Sequence, residues 1–183
     1  GEERLHPRAA LARRHEVRAA NALLAALMLL CVLAVGHAWI GVAGLYRAWP
    51  HSALAVLPLG FATGPLLYLY FSRILQDRPL GRRHLLHFLP FALATLALLP
   101  FYLQPAAAKL AWMRSLDGPP WYVATAALAK LLIFLAYVRA CYSLVGSASG
   151  HPLAPGLRRL LGIWLFGGVL SMLALALELA PLE

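Results

Sequence analysis

Apolar residues run along this 183-residue chain in long unbroken blocks instead of alternating with polar ones. Asp, Glu, Lys and Arg are absent from Ala19–Tyr46, Ala48–Ser72 and His84–Ala108. Each block exceeds the ~20 residues a helix needs to cross ~30 Å of hydrocarbon at ~1.5 Å per residue. Two further blocks are interrupted: Trp121–Val138 carries Lys130 near its centre, and Leu160–Leu177 stops at Glu178. The pattern predicts five helices, at about 20–46, 52–73, 86–104, 120–143 and 159–180. The expected fold class is therefore all-α, a multi-pass transmembrane helix bundle. No soluble stretch is long enough for a core of its own, so residues 1–183 are expected to form one domain.

Composition sharpens this reading. The chain is 62% hydrophobic and 13% charged, with a mean hydropathy of +0.73, against roughly 45–50% and 25% in soluble domains. A net charge of +9 would suggest a nucleic-acid surface in a soluble domain, but position decides otherwise. Twelve basic residues fall on one side of the expected bundle: Arg4, Arg8, Arg13, Arg14 and Arg18 before the first helix, Arg73, Arg78, Arg82 and Arg83 between the second and third, and Arg139, Arg158 and Arg159 between the fourth and fifth. The opposite side holds Arg47, Lys109 and Arg114. This asymmetry is the positive-inside rule, so the N-terminal end is expected in the cytoplasm and the end of the fifth helix outside. The bilayer is the expected partner, with no nucleic acid bound by these residues themselves. Cys31 and Cys141 fall in or near spans and are expected to act as small hydrophobes. A start at Gly1 with no signal-peptide pattern, and an end just past a span, read as an excerpt of a longer protein.

The segment PLGFATGPLLYLYFSRIL, Pro58 to Leu75, places weak helix formers inside an apolar run. Gly60 and Gly64 form a GxxxG pattern that bares the backbone on one face and lets a second helix approach closely. Pro65 is tolerable in a bilayer where Thr63, a neighbouring helix or water satisfies the carbonyl it frees. Gly60, Gly64 and Pro65 are thus candidate packing residues, while Tyr68, Tyr70 and Arg73 are expected to anchor the cytoplasmic end. The outer loop Gln104–Pro120 is expected to be too short to fold alone.

Lys130 is the informative oddity. Nine residues below Trp121 it lies close to the bilayer centre, where a lysine costs roughly 2.5–3.5 kcal/mol on insertion scales and must face the bundle interior. Two partners are available in the outer half, His37 and Glu178. Together the three define a candidate pocket, open to the outside, for an anionic or polar ligand or a lipid-borne signal; the competing reading is that Lys130 snorkels or pairs with backbone carbonyls while Glu178 caps a helix end. His84 and His87 share an i, i+3 spacing, but with no Cys, Asp or Glu beside them no metal is expected. No cofactor is expected either. Without HExxH, GxSxG or a pair of membrane carboxylates, the chain is not expected to be an enzyme.

Three stretches, EVRAANALLAALMLL, GPLLYLYFSRIL with RRHLLHFLPFALATLALLPFYL, and LAKLLIFLAYVRACYSL, resemble the membrane sensor region of membrane-bound AraC-type transcriptional regulators. The matching elements are Ala20–Ala25, Gly64–Tyr70 and His87–Phe91. The resemblance implies a bundle of about seven helices followed by a cytoplasmic helix-turn-helix domain that binds DNA. Five helices starting inside end outside, so that arrangement needs one further crossing after Glu183 and one before Gly1. The expected function is then the sensing and anchoring half of a bacterial transcription regulator, compatible with a homodimer. The alternatives are the membrane half of a sensor histidine kinase, or a small transporter or scaffold.

Overall fold

The first helix, α1 (Pro7–Val42), starts well before the expected position 20 and stops four residues short of 46. Its end is set by Gly44, which takes φ +68° and ψ 14°, a left-handed conformation that closes helices readily only at glycine. The structure, a computed structural model, describes the backbone of residues 7–76, 81–114 and 121–179, and the side chains of residues 17–76, 81–114 and 125–170. Its remaining helices are α2 (Gly60–Gln76), α3 (Leu89–Tyr102), α4 (Ala106–Arg114), α5 (Trp121–Ser147) and α6 (Ala154–Leu179). A 3₁₀ segment, Arg82–Phe88, leads into α3. The described residues are almost wholly helical and contain no strand.

Two boundaries correct the sequence-based expectation. The second helix begins at Gly60 and not at 52, because residues 50–59 coil through a 3₁₀ turn at Pro50–Ser52 and a run of further turns. Pro50 and Pro58 bracket this coil, and a residue ahead of proline is pushed out of the helical region. Leu54 within it adopts φ 60°, a strained choice for a residue with a β-carbon. At 17 residues, α2 spans only about 25 Å. The second correction lies in the loop after α3, which folds a nine-residue helix, α4, against the Pro50–Ser52 turn. Its sequence AAAKLAWMR is rich in good helix formers.

Three helices among the described residues are long and apolar enough to cross a membrane: Val17–Val42, Arg82–Tyr102 and Thr125–Ser147. Their apolar side chains point outward to an unusual degree. Val35, Val42, Leu86, Leu96, Leu132 and Phe166 are all exposed, which suits surroundings of hydrocarbon and not water.

Helix α2 is the hub. It packs against α1, α3 and α5, and α6 packs on α5. Phe61, Ala62, Leu66, Leu67, Leu69 and Phe71 are buried along it, as is Pro65. The densest packing lies toward the arginine-bearing end, where Leu67 and Phe71 of α2 meet Leu27 of α1, Val138, Cys141 and Val145 of α5, and Ala154, Leu157 and Leu161 of α6. Buried positions on α5 and α6 recur every three or four residues, the stripe of a helix with one inward face. Beyond Leu161, the exposed Gly162, Ile163, Leu165 and Phe166 mark where α6 leaves this core.

Candidate functional site

The GxxxG face of α2 meets α5, and two α5 residues seven apart lie on it. A β-carbon at Gly60 would fall 2.6 Å from Lys130 Cδ, and one at Gly64 would fall 2.8 Å from Tyr137 Cδ2 and 3.0 Å from Tyr137 Cβ. Glycine at 60 therefore lets the lysine stem cross the α2 backbone at close range, and glycine at 64 does the same for the tyrosine ring. Lys130 and Tyr137 at i, i+7 share a helix face, as do Gly60 and Gly64 at i, i+4, but only the fold brings the two faces together.

Above the dense core the helices part around a cavity of about 500 Å³, lined from α1, α2, α5, α6 and the coil before α2. This falls within the range typical of small-molecule sites, roughly 300–1,000 Å³. Its walls are apolar, from Met28 and Ala34 on α1 to Ile163 on α6, and Lys130 is its charged residue among those described. Lys130 is half-buried and has no hydrogen-bond or ion-pair partner among the described residues. Phe134 also lines the cavity, and its ring lies where a side chain at Gly168 of α6 would have to go.

The three residues expected to share a pocket are placed differently. Lys130 lines the cavity. His37 does not: its Nε2 donates to the Ser52 carbonyl at 2.9 Å, and the Tyr46 hydroxyl lies 3.2 Å from its Nδ1. It straps the end of α1 to the coil that follows. Since a carbonyl can only accept, the ring proton sits on Nε2. Glu178 lies outside the residues whose side chains are described.

Two polar clusters escaped sequence reasoning. At the arginine-bearing end, His87 Nδ1 and the Tyr137 hydroxyl are 2.9 Å apart. The Tyr68 ring packs 5.4 Å from that of His87 and 6.0 Å from that of Tyr137. Tyr68, expected only as an interfacial anchor, thus helps join α2, the 3₁₀ segment and α5. His84 lies 6.3 Å from His87 by ring centroids, and among the described residues no three His, Cys, Asp or Glu side chains gather in a way that could hold a metal.

At the other end, Lys109 of α4 is 1% exposed. Its Nζ donates to His51 Nδ1 at 3.0 Å and to the Tyr102 carbonyl at 2.9 Å, and lies 5.3 Å from the centroid of the Phe101 ring. Tyr102 in turn donates to the Leu54 carbonyl at 3.0 Å. Lys109, counted from the sequence only among the basic residues of the outer side, is a buried clamp holding α3, α4 and the Pro50 coil together. The Phe101–Trp112 ring pair, 5.2 Å apart and nearly perpendicular, seals it.

The cavity is able to hold an apolar or amphiphilic guest and to present one amino group to it. No protein-family model, curated protein or solved structure matches this chain.

Proposed function

We propose that this chain is the membrane-embedded sensing and anchoring domain of a bacterial transcription regulator, joined to a DNA-binding domain on the cytoplasmic side. In this reading the five apolar segments all cross the inner membrane, the arginine-bearing end faces the cytoplasm, and the cavity is where the stimulus acts. The observation that carries it is the cavity itself: about 500 Å³, lined by four helices and the coil before α2, with a lysine without a partner among the described residues. An ionisable side chain at membrane depth that faces a cavity is a functional-site signal. The dense packing at the arginine-bearing end supports a rigid connection from the cavity to the cytoplasmic face. Coupling requires that the guest favour one of two helix arrangements. The regulatory output is supported by the family resemblance.

The test is to tag the gene product carrying this chain in its own cell, crosslink, and sequence the DNA recovered with the membranes. Discrete enriched sites support the proposal. Autophosphorylation from ATP without such sites would replace it with the histidine kinase reading, and solute uptake into reconstituted vesicles would replace it with a transporter.

A further inference from the structure

The occupant of the cavity is narrowed by its opening, its size and its charge. Helices α2 and α5 pack together as its floor, and α1 and α6 flank that floor with little contact between them. Cys31 lines the cavity and also borders a shallow apolar trough running along α1 to Val35 and Trp39, so the two adjoin at this residue. Those residues are apolar and, apart from half-buried Cys31, exposed, as are Phe166 and Val169 on α6. The mouth therefore opens onto the hydrocarbon around the bundle, a route for a guest dissolved in the bilayer.

The lining residues are apolar except for Lys130, Thr63, Cys31 and Trp164, which carry an amino group, a hydroxyl, a thiol and an indole N–H. A cation in such surroundings calls for an anion. The N-terminus of α2, at Gly60 on the same wall, adds the positive end of its dipole. The volume accommodates roughly sixteen water-sized groups at about 30 Å³ each. That suits one acyl chain.

We infer that the cavity binds a single-chain carboxylate amphiphile of the long-chain fatty acid class, taken sideways from the bilayer, with its carboxylate on Lys130 and its chain against Phe134 and Trp164. The inference rests on the reading of the chain as a membrane sensing domain and names the ligand class of that site. Gly60 matters to it because the bare backbone there sets the path of the lysine stem.

The experiment uses the purified gene product in phosphatidylcholine nanodiscs and a diazirine-bearing palmitate as the probe, with the crosslinked peptides mapped by mass spectrometry. Labelling is expected on α1 around Met28–Ala34 or on α6 around Leu160–Gly168. Unlabelled palmitate should compete at least tenfold better than methyl palmitate, which keeps the chain and removes the charge. Lys130→Gln should reduce labelling at least tenfold, while Lys130→Arg keeps it within about threefold. Equal competition by the methyl ester overturns the inference, as does undiminished labelling of a folded Lys130→Gln protein, or crosslinking of the cavity walls to a second copy or another helix in place of the probe. If Lys130→Gln fails to fold, the competition on the unaltered protein decides alone. Palmitate binding by a protein that occupies no DNA sites preserves this inference and removes the regulatory proposal; DNA sites without palmitate binding do the reverse.

Discussion

Alanine at Gly64 and alanine at Gly60 are the same chemical change four residues apart on one helix, and the structure gives them opposite outcomes. A β-carbon at 64 would meet Tyr137 Cβ and Cγ at 3.0 Å, atoms fixed to the α5 backbone. Relaxing that to the 3.5–4.0 Å of an ordinary carbon contact requires α2 and α5 to separate by about 0.5–1 Å. Overpacking of this kind costs roughly 1–3 kcal/mol, and the better helix propensity of alanine returns up to about 1. Gly64→Ala should therefore destabilise the bundle by about 1–2 kcal/mol, lowering the unfolding midpoint by roughly 3–6 °C in thermal melts of the detergent-solubilised protein followed by circular dichroism. A β-carbon at 60 meets Lys130 Cδ, part of a flexible chain that is free to swing, so Gly60→Ala should leave the midpoint within about 2 °C. Because Tyr137 is the obstacle, Tyr137→Ala should absorb much of the Gly64→Ala penalty, with a coupling of about 1 kcal/mol. A Gly64→Ala protein as stable as the unaltered one, or additive effects of the two changes, would refute the close approach of α2 and α5.

Three other outcomes follow. Lys109→Met keeps the buried stem but leaves His51 Nδ1 and the Tyr102 carbonyl without a donor, at about 1–3 kcal/mol per group; amide exchange across residues 50–57 should quicken at least tenfold, and unchanged exchange would show that the clamp is idle. Replacing His87 with Ala and Tyr137 with Phe, singly and together, should reveal a coupling of about 0.5–1.5 kcal/mol from their 2.9 Å contact, whereas a coupling of zero would mean that the pair contributes only ring packing. Reporter tags at Gly1 and at Asp77, both outside the described residues, should register the same, cytoplasmic face, and opposite faces would overturn the orientation drawn from the arginines.

The long apolar blocks were legible because hydrocarbon leaves the backbone little choice: every N–H and C=O must be satisfied within the segment. The true length of α2 was not. Residues 52–59, SALAVLPL, are as apolar as a helix, and hydropathy is blind to the backbone; only Pro50 and Pro58 hinted at the coil. The same blindness hid α4, whose alanines were a fair signal inside a loop expected only to be too short to fold alone. Lys130 was visible as an oddity and Gly60 as half of a motif, yet nothing one-dimensional joined them across α2 and α5. His37 was offered to Lys130 as one of the few polar residues in the outer half of the spans. A backbone carbonyl in the coil, at Ser52, claims it instead, and such carbonyls arise only where a helix has stopped.

The centrality of α2 also bears on how the molecule is made. Gly64 leaves the ribosome about 70 residues ahead of Tyr137, the group that covers it, and at ~5–20 residues per second the interval lasts on the order of 4–14 s. Throughout that time the most glycine-bare flank of the nascent chain lacks its mate. A chaperone or insertase that shields it would set the yield of finished protein, and chains cut short before Trp121 should be the preferred prey of membrane proteases.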